Sequence, residues 1–353
     1  MEESFGVESV GPSHRGVLES LLAPEVVDLL EGHRGLADLD PGKPLDYVLY
    51  TGRGPSGGSF HIGHLIGLRV VRALQRALGS KIFFMIADDE KMIRDGIEPD
   101  DMATYVHSTL GQLQALGFNS LNTDFHVNSK GLGEAMYGVL VRVMQCVNVN
   151  QLTHIFGPKR CLGEYFYAMV QLVPCFMGKQ AVVVAGRDQD PFFRLARAIA
   201  KRLGHPPPIL LYTKSVPGLD GVTPKMSTSH PASLPIFLTD TEEVVCRKLG
   251  KVRKVGAASL EALFEHGADL AADTLYTLVA MFERRPGVLA TIGAAYTTGV
   301  PTDGEAHAAA RAALGEDLAA KALMTRGPKT MITTAGMRAY AAAVVLQVLG
   351  SEV

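Results

Sequence analysis

"YTGRGPSGGSFHIGHL", Tyr50 to Leu65, sets a run of glycines and two histidines between an apolar stretch and an amphipathic one. Upstream, "DYVLYT" (46–51) alternates as a strand does. Downstream, "GHLIGLRVVRALQRALG" has helical periodicity and stops at Gly79, a natural C-terminal cap. Next comes "KIFFMIADDE", a near-continuous apolar run closed by acids, as expected of a buried parallel strand. Together these make a βαβ unit. "QAVVVAGRDQDPFFRLARAIAKRLG" repeats the logic, with Asp190 expected as N-cap, Pro191 in the first turn and Gly204 at the end. The repetition predicts an α/β fold on a Rossmann-like, doubly wound parallel sheet.

The chain has 353 residues, enough for two lobes. From "LYTKSVPGLDGVTPKMSTSHPASLP" it becomes rich in Pro, Gly, Ser and Thr and reads as a long surface loop, and after about Asp240 it turns helical. The expected organisation is an N-terminal segment, 1–45, packing on a catalytic domain, 46–240, followed by a helical domain, 241–353. A formal charge of -2 leaves no global basic field, so any nucleic-acid contact has to come from a local patch. The four cysteines are widely spaced and form no C-x-x-C, which argues against a zinc ribbon and against a disulfide framework. A reducing, cytoplasmic setting fits. The N-terminus has no apolar targeting stretch, and no segment reaches the roughly eighteen apolar residues of a membrane span.

Gly52, Gly54 and Gly57 satisfy G-x-G-x-x-G between a strand and a helix. A dinucleotide site wants an acid about 20 residues on, whereas Asp88 stands roughly 30 beyond Gly57, and that fingerprint has no use for histidines. The absence of G-K-[ST] excludes a Walker A loop. Bare backbone at a helix N-terminus admits a phosphate or ribose. His61 and His64, three apart, face one side and can donate hydrogen bonds to phosphate oxygens as charge builds on them. Either histidine alone reads as a surface residue beside a turn, and a zinc pair lacks further ligands. "PKMSTS" (224–229) alone reads as a solvated loop. Paired with a phosphate-binding turn, its lysine becomes a cation able to close over a polyphosphate.

"HIGH" (61–64) and "KMSTS" (225–229), in that order on such a sheet, resemble the two signatures of class I aminoacyl-tRNA synthetases. More narrowly, "YTGRGPS", "ADDEK", "NQLTHIFG", "GRDQDPFFRLAR" and "KMSTS…SLPIFLTDT" resemble the tryptophanyl-tRNA synthetases of the eukaryotic and archaeal type, over nearly the whole chain. The resemblance implies a Rossmann-like catalytic domain, a helical anticodon-binding domain, a homodimer, and ATP with Mg2+. It also implies two steps: tryptophan is activated as an adenylate with release of pyrophosphate, then transferred to tRNA. Residue by residue, ATP would lie over Gly52, Arg53, Gly54, Pro55 and Ser56, with His61, Gly63 and His64 at the transferring end and Lys91 nearby. Gly186, Asp188 and Gln189 would close the nucleotide pocket, and Lys225, Met226, Ser227 and Ser229 would clamp the pyrophosphate. His61, His64, Lys225 and Arg53 are the implied catalytic groups. The amino acid would be held at Tyr50, Met85, Glu90, Gln151, Gln171 and Gln189.

Met85 departs from the family, which carries there a glutamine that accepts from the indole N–H. A thioether is a poor acceptor, and losing that hydrogen bond would cost about 1–3 kcal/mol unless another side chain or a water serves the indole. Between "IFG" and "GRDQ" the chain is also shorter than its relatives, and Glu164, Tyr165 and Tyr167 add bulk and charge. For tRNA, "CRKLGKVRK" clusters Arg247, Lys248, Lys251, Arg253 and Lys254, a pattern that a solvated charged helix would share. Two rivals follow. One is a paralogue activating another amino acid for a biosynthetic or peptide-tailoring pathway; the other is a non-catalytic tRNA-binding homologue.

Overall fold

The computed structural model describes residues 6–43, 46–159, 161–228 and 230–352. Contacts divide the chain into two compact units, one of residues 1–60 with 64–214, the other of residues 61–63 with 215–353. The composition change near Asp240 falls inside the second unit.

The first unit is built on six strands: β1 (Leu30–Arg34), β2 (Tyr47–Arg53), β3 (Ile82–Ile86), β4 (Thr123–Val127), β5 (Gln180–Gly186) and β6 (Ile209–Thr213). Their order is β1-β6-β5-β2-β3-β4, with β1 antiparallel and the rest parallel. Chain order runs outward from β2 in both directions, so the switch point lies between β2 and β5, where ligands of open α/β sheets bind beyond the strand ends. The apolar strands are buried because helices cover them, as parallel sheets require. The helix Ile62–Leu78 follows β2 and ends where Gly79 (φ 59°) donates its N–H to Gln75 O at 2.8 Å. The helix Asp190–Leu203 follows β5 and ends at Gly204 in the left-handed region.

Asp190 is not the N-cap of that helix. Gln189 takes the position, and the Asp190 carboxylate turns inward instead. Arg34 at the end of β1 donates Nε to Oδ1 (2.6 Å) and Nη2 to Oδ2 (2.9 Å), and the Tyr212 hydroxyl of β6 donates to Oδ1 at 2.5 Å. A partner 156 residues away outbid the local backbone.

The second unit is mostly helical, with Leu275, Leu278, Ile292, Tyr296, Met337 and Tyr340 fully buried. Asp273, also fully buried, accepts from Tyr276 N–H, Gly256 N–H and the Tyr296 hydroxyl and so ties three segments together. The sequence suggested helices alone here. The structure adds a three-stranded antiparallel sheet of Val300–Pro301, Lys329–Ile332 and Leu323–Arg326.

Candidate active site

β2 ends in Gly52 and Arg53, directly at the switch point. Arg53 lays its guanidinium 4.0 Å from the ring centre of buried Phe60 and donates Nη2 to Ser56 Oγ at 3.3 Å. Its Nε and Nη1 are shielded from solvent, with no hydrogen-bond partner among the described residues. Burial with no compensating carboxylate pushes its proton affinity down to about 10. A shielded cation with unused donors is matched to an anion.

The glycines of the turn are held by protein neighbours rather than left bare for a ligand. A Cβ on Gly52 would stand 2.9 Å from the Met85 carbonyl oxygen, and one on Gly54 would stand 2.9 Å from Lys91 Cε and 3.0 Å from Glu90 Oε2. The turn is thereby pressed against the helix Asp88–Asp95, whose first turn carries Asp88, Asp89 and Glu90. Burial raises the carboxyl groups of Asp89 and Glu90 above their ordinary values, against the opposing pull of Asn128 on the first and Arg94 on the second. Lys91 Nζ pairs with Asp95 at 3.1 Å.

Beneath the turn, Tyr50 and Met85 are both almost wholly buried and in contact. The Tyr50 hydroxyl stands 2.9 Å from the Gln171 carbonyl oxygen, to which it donates, and 3.5 Å from Met85 Sδ. Because the phenol proton is committed, its oxygen lone pairs remain for an incoming donor. Gln171 Nε2 donates to Gln189 Oε1 (2.9 Å), whose Nε2 donates to Asp188 Oδ2 (2.9 Å). Gln171 Oε1 is buried with no hydrogen-bond partner among the described residues. Gln151 is elsewhere engaged: exposed at the third position of the helix Val149–Phe156, it closes a capping box with Asn148.

In the second unit, His61 is buried and forms a bridge with Phe237, beside Ile62 N–H donating to Ile236 O at 2.9 Å. Gly63 N–H donates to His61 Nδ1 at 3.1 Å, which assigns the neutral ring's proton to Nε2 and makes that atom a donor. A Cβ on Gly63 would stand 3.7 Å from Val216 Cβ, and Val216 O accepts from Met226 N–H at 2.7 Å. The first and second signatures thus pack on one valine. Met226 is buried, Lys225 exposed, and the Ser227 N–H donates to the hydroxyl of fully buried Ser233. Ser229 lies outside the described residues. His64, half-buried in the first unit, stands edge-on to Phe60 with ring centres 5.3 Å apart.

Residues 45–318 match the family described as tRNA synthetases class I (W and Y). The cytoplasmic tryptophan–tRNA ligase of Dictyostelium discoideum is 32% identical over 295 residues, 77% of this chain and 73% of that protein. The human cytoplasmic enzyme is 30% identical over 276 residues, 73% of this chain and 58% of the human protein. The solved tryptophanyl-tRNA synthetase of Encephalitozoon cuniculi, bound to tryptophan, is 25% identical with a TM-score of 0.80, covering 99% of this chain and 91% of that one. The chain belongs to the tryptophanyl-tRNA synthetase family.

Against that family, the register of β3 decides the position of Met85: it stands opposite Gly52 with its sulfur beside Tyr50. Tyr165 serves the backbone, its hydroxyl donating to Gly157 O at 2.8 Å and accepting from Lys159 N–H at 3.3 Å. Tyr167 is buried with Phe192 as a ring neighbour, and burial, then the nearby Glu90 carboxylate, raises its phenol well above the ordinary value. Lys248, read from sequence as part of a basic cluster, is spent internally on Asp240, the Pro235 carbonyl and the Phe237 ring. Arg247, Lys251, Arg253 and Lys254 remain exposed. Sequence reading missed Phe60 under Arg53 and Arg94 paired with Glu90. Only the second left a signal, the four-residue spacing on one helix.

Proposed function

We propose that this chain is a tryptophan–tRNA ligase. Tryptophan's carboxylate oxygen attacks the α-phosphorus of ATP, pyrophosphate leaves, and a terminal hydroxyl of tRNA then attacks the acyl carbon of the adenylate, taking the aminoacyl group and releasing AMP and the hydroxyl proton. The reading rests above all on Arg53, a shielded guanidinium with two unused donors at the sheet's switch point. No residue here is a covalent nucleophile in the proposed reaction. Catalysis is positioning and stabilisation of charge on phosphate oxygens.

In this proposal Arg53 and the Gly52–Ser56 backbone bind the phosphates. His61 donates through Nε2–H, His64 and Lys225 add donors to the developing charge, and Lys91 assists. Gly186, Asp188 and Gln189 border the nucleotide, and Met226 and Ser227 hold the pyrophosphate through their backbone. Tyr50 accepts from the indole N–H, while Glu90 and the free Gln171 Oε1 receive the ammonium group. Magnesium would arrive with the triphosphate: the described residues place no group of three carboxylate, histidine or cysteine donors at the glycine turn, and no step here runs through the ion. A cytoplasmic homodimer with tRNA contacts over the second unit belongs to the same proposal. Among the described residues no helix is long and apolar enough to cross a membrane.

A second reading, activation of a different amino acid, is favoured by the Met85 sulfur at the Tyr50 hydroxyl. Pyrophosphate exchange across the aromatic amino acids separates the two. Exchange with tryptophan carries the first reading, exchange confined to another amino acid carries the second, and none with any of them overturns both.

A further inference from the structure

Away from the glycine turn, the outer edge of the first sheet gathers three side chains whose chemistry the ligase reaction does not use. The short segment around Glu8 lies antiparallel to β1: Glu8 N–H donates to His33 O at 3.0 Å and His33 N–H to Glu8 O at 2.9 Å. In such a directly opposed pair both side chains emerge on one face. The close approach needs Gly32, where a Cβ would meet Val7 Cγ1 at 2.8 Å and Glu8 O at 3.0 Å. His14, at the third position of the helix Pro12–Glu19, leans over the same face, its ring centre 4.2 Å from that of His33 and inclined at 69°.

One donor atom from each of Glu8, His14 and His33 lies within 4.8 Å of the other two, and His14 Nε2 stands 3.9 Å from Glu8 Oε2. His33 is 1% exposed, yet neither ring nitrogen makes a hydrogen bond to a described protein group. The Ser9 backbone is near enough to the ring to pull its proton affinity up, against the larger lowering by burial, but is too long or bent for a regular hydrogen bond. A sealed imidazole with both nitrogens unspent is an unfavourable arrangement by itself. The ion pair of His14 with Glu8 does not relieve it.

We propose that Glu8, His14 and His33 form a binding site for one divalent ion of the zinc class, with two imidazoles and a carboxylate as ligands and solvent in the fourth position. Two nitrogens and one oxygen are a zinc-type donor set, whereas calcium and magnesium take oxygen ligands. With donors about 2.0–2.1 Å from the ion, neighbouring ligand atoms of a tetrahedral site stand about 3.3 Å apart. The present separations, 3.9 Å between His14 and Glu8 and none above 4.8 Å, close by movement of the exposed Glu8 and half-buried His14 side chains. The buried His33 is the fixed ligand, and Glu8 and His14 close on it from two separate elements. A bound ion would staple residues 8–14 to the edge strand β1.

The test uses the full chain, stripped by chelator and dialysed, then titrated with Zn2+ by calorimetry and with Co2+ by visible absorption. The expected result is one ion per chain with Co2+ bands of low coordination number. Glu8→Ala and His14→Ala should each weaken binding at least about tenfold, with circular dichroism and pyrophosphate exchange unchanged. Binding that survives both substitutions at parental affinity would assign the ion to adventitious surface histidines and overturn the site. Absence of binding below millimolar Zn2+ would overturn it as well and leave His33 to a bridging water. His33→Ala is avoided because Arg34, next in the chain, belongs to the buried pair with Asp190.

Discussion

Arg34 and Arg53 are two shielded arginines at the ends of strands in one sheet, and they are treated in opposite ways. Arg34, at the outer edge, is held by both oxygens of Asp190, which Tyr212 also supports. Burial alone would lower its proton affinity, but the carboxylate more than compensates and the affinity is raised. Arg53, at the switch point, has an aromatic ring and a serine hydroxyl but no acid, and its affinity falls to about 10. Where the charge serves the fold, the fold supplies its counterion. Where the charge is left unmatched, a bound anion is the partner proposed for it. A cation alone is uninformative; the state of its hydrogen-bond inventory separates structure from function.

The largest effect expected on either side is at Arg34's partner. Asp190→Ala removes one member of a buried pair and should cost about 3–5 kcal/mol of unfolding free energy, read by denaturant titration; a loss below about 1 kcal/mol would erase the distinction drawn here. The same pair fixes a pH dependence. Burial opposes ionisation of Asp190, but the hydrogen bonds from Arg34 and Tyr212 outweigh it and depress its folded pKa below the ordinary carboxylate value. Its stabilisation is therefore complete above the unfolded value and lost as pH falls below about 3.8 through the folded one. The stability gap between parent and Asp190→Ala should shrink over that acid range and stay flat from pH 5 to 7.

Arg53→Ala should do the reverse, lowering pyrophosphate exchange by about 10²–10³-fold with the unfolding midpoint held or raised. A midpoint that drops as far as that of Asp190→Ala would make Arg53 a structural residue. A smaller shift belongs to the amino-acid end. Met85→Gln places an amide beside Tyr50 and should improve tryptophan use by the equivalent of about 1–3 kcal/mol, measured as kcat/KM for exchange. Unchanged kinetics would mean the indole is already served. The smallest change expected is at Tyr165→Phe, about 0.5–1.5 kcal/mol of stability with amino-acid selectivity intact, since its hydroxyl holds Gly157 and Lys159 rather than a substrate.

What was legible in the sequence was what repeats locally. The strand, turn and helix around Tyr50–Leu65 announce themselves through period and capping, and the signature histidines and lysine through their order. Asp190 shows the limit: its position before Pro191 reads as a cap, and nothing nearby tells of Arg34, which approaches only when β1 pairs with β6. The short strands at 300–301, 323–326 and 329–332 sit among alanine-rich helices and are set by tertiary pairing, not by an alternating pattern of their own. The orientation of Met85 required the register of β3 on β2. Glu8, His14 and His33 follow no ligand spacing; a backbone bridge and a glycine at 32 bring them together.

The unmatched guanidinium at Arg53 has a practical corollary. Small oxyanions in ordinary laboratory solutions, sulfate and inorganic phosphate among them, would themselves be ligands for that corner of the sheet. Melting temperatures recorded in phosphate buffer should exceed those in a zwitterionic sulfonate buffer at equal pH and ionic strength. Much of that difference should vanish in Arg53→Ala. The choice of buffer is therefore an experimental variable for this protein, and inhibition constants for nucleotides will depend on it.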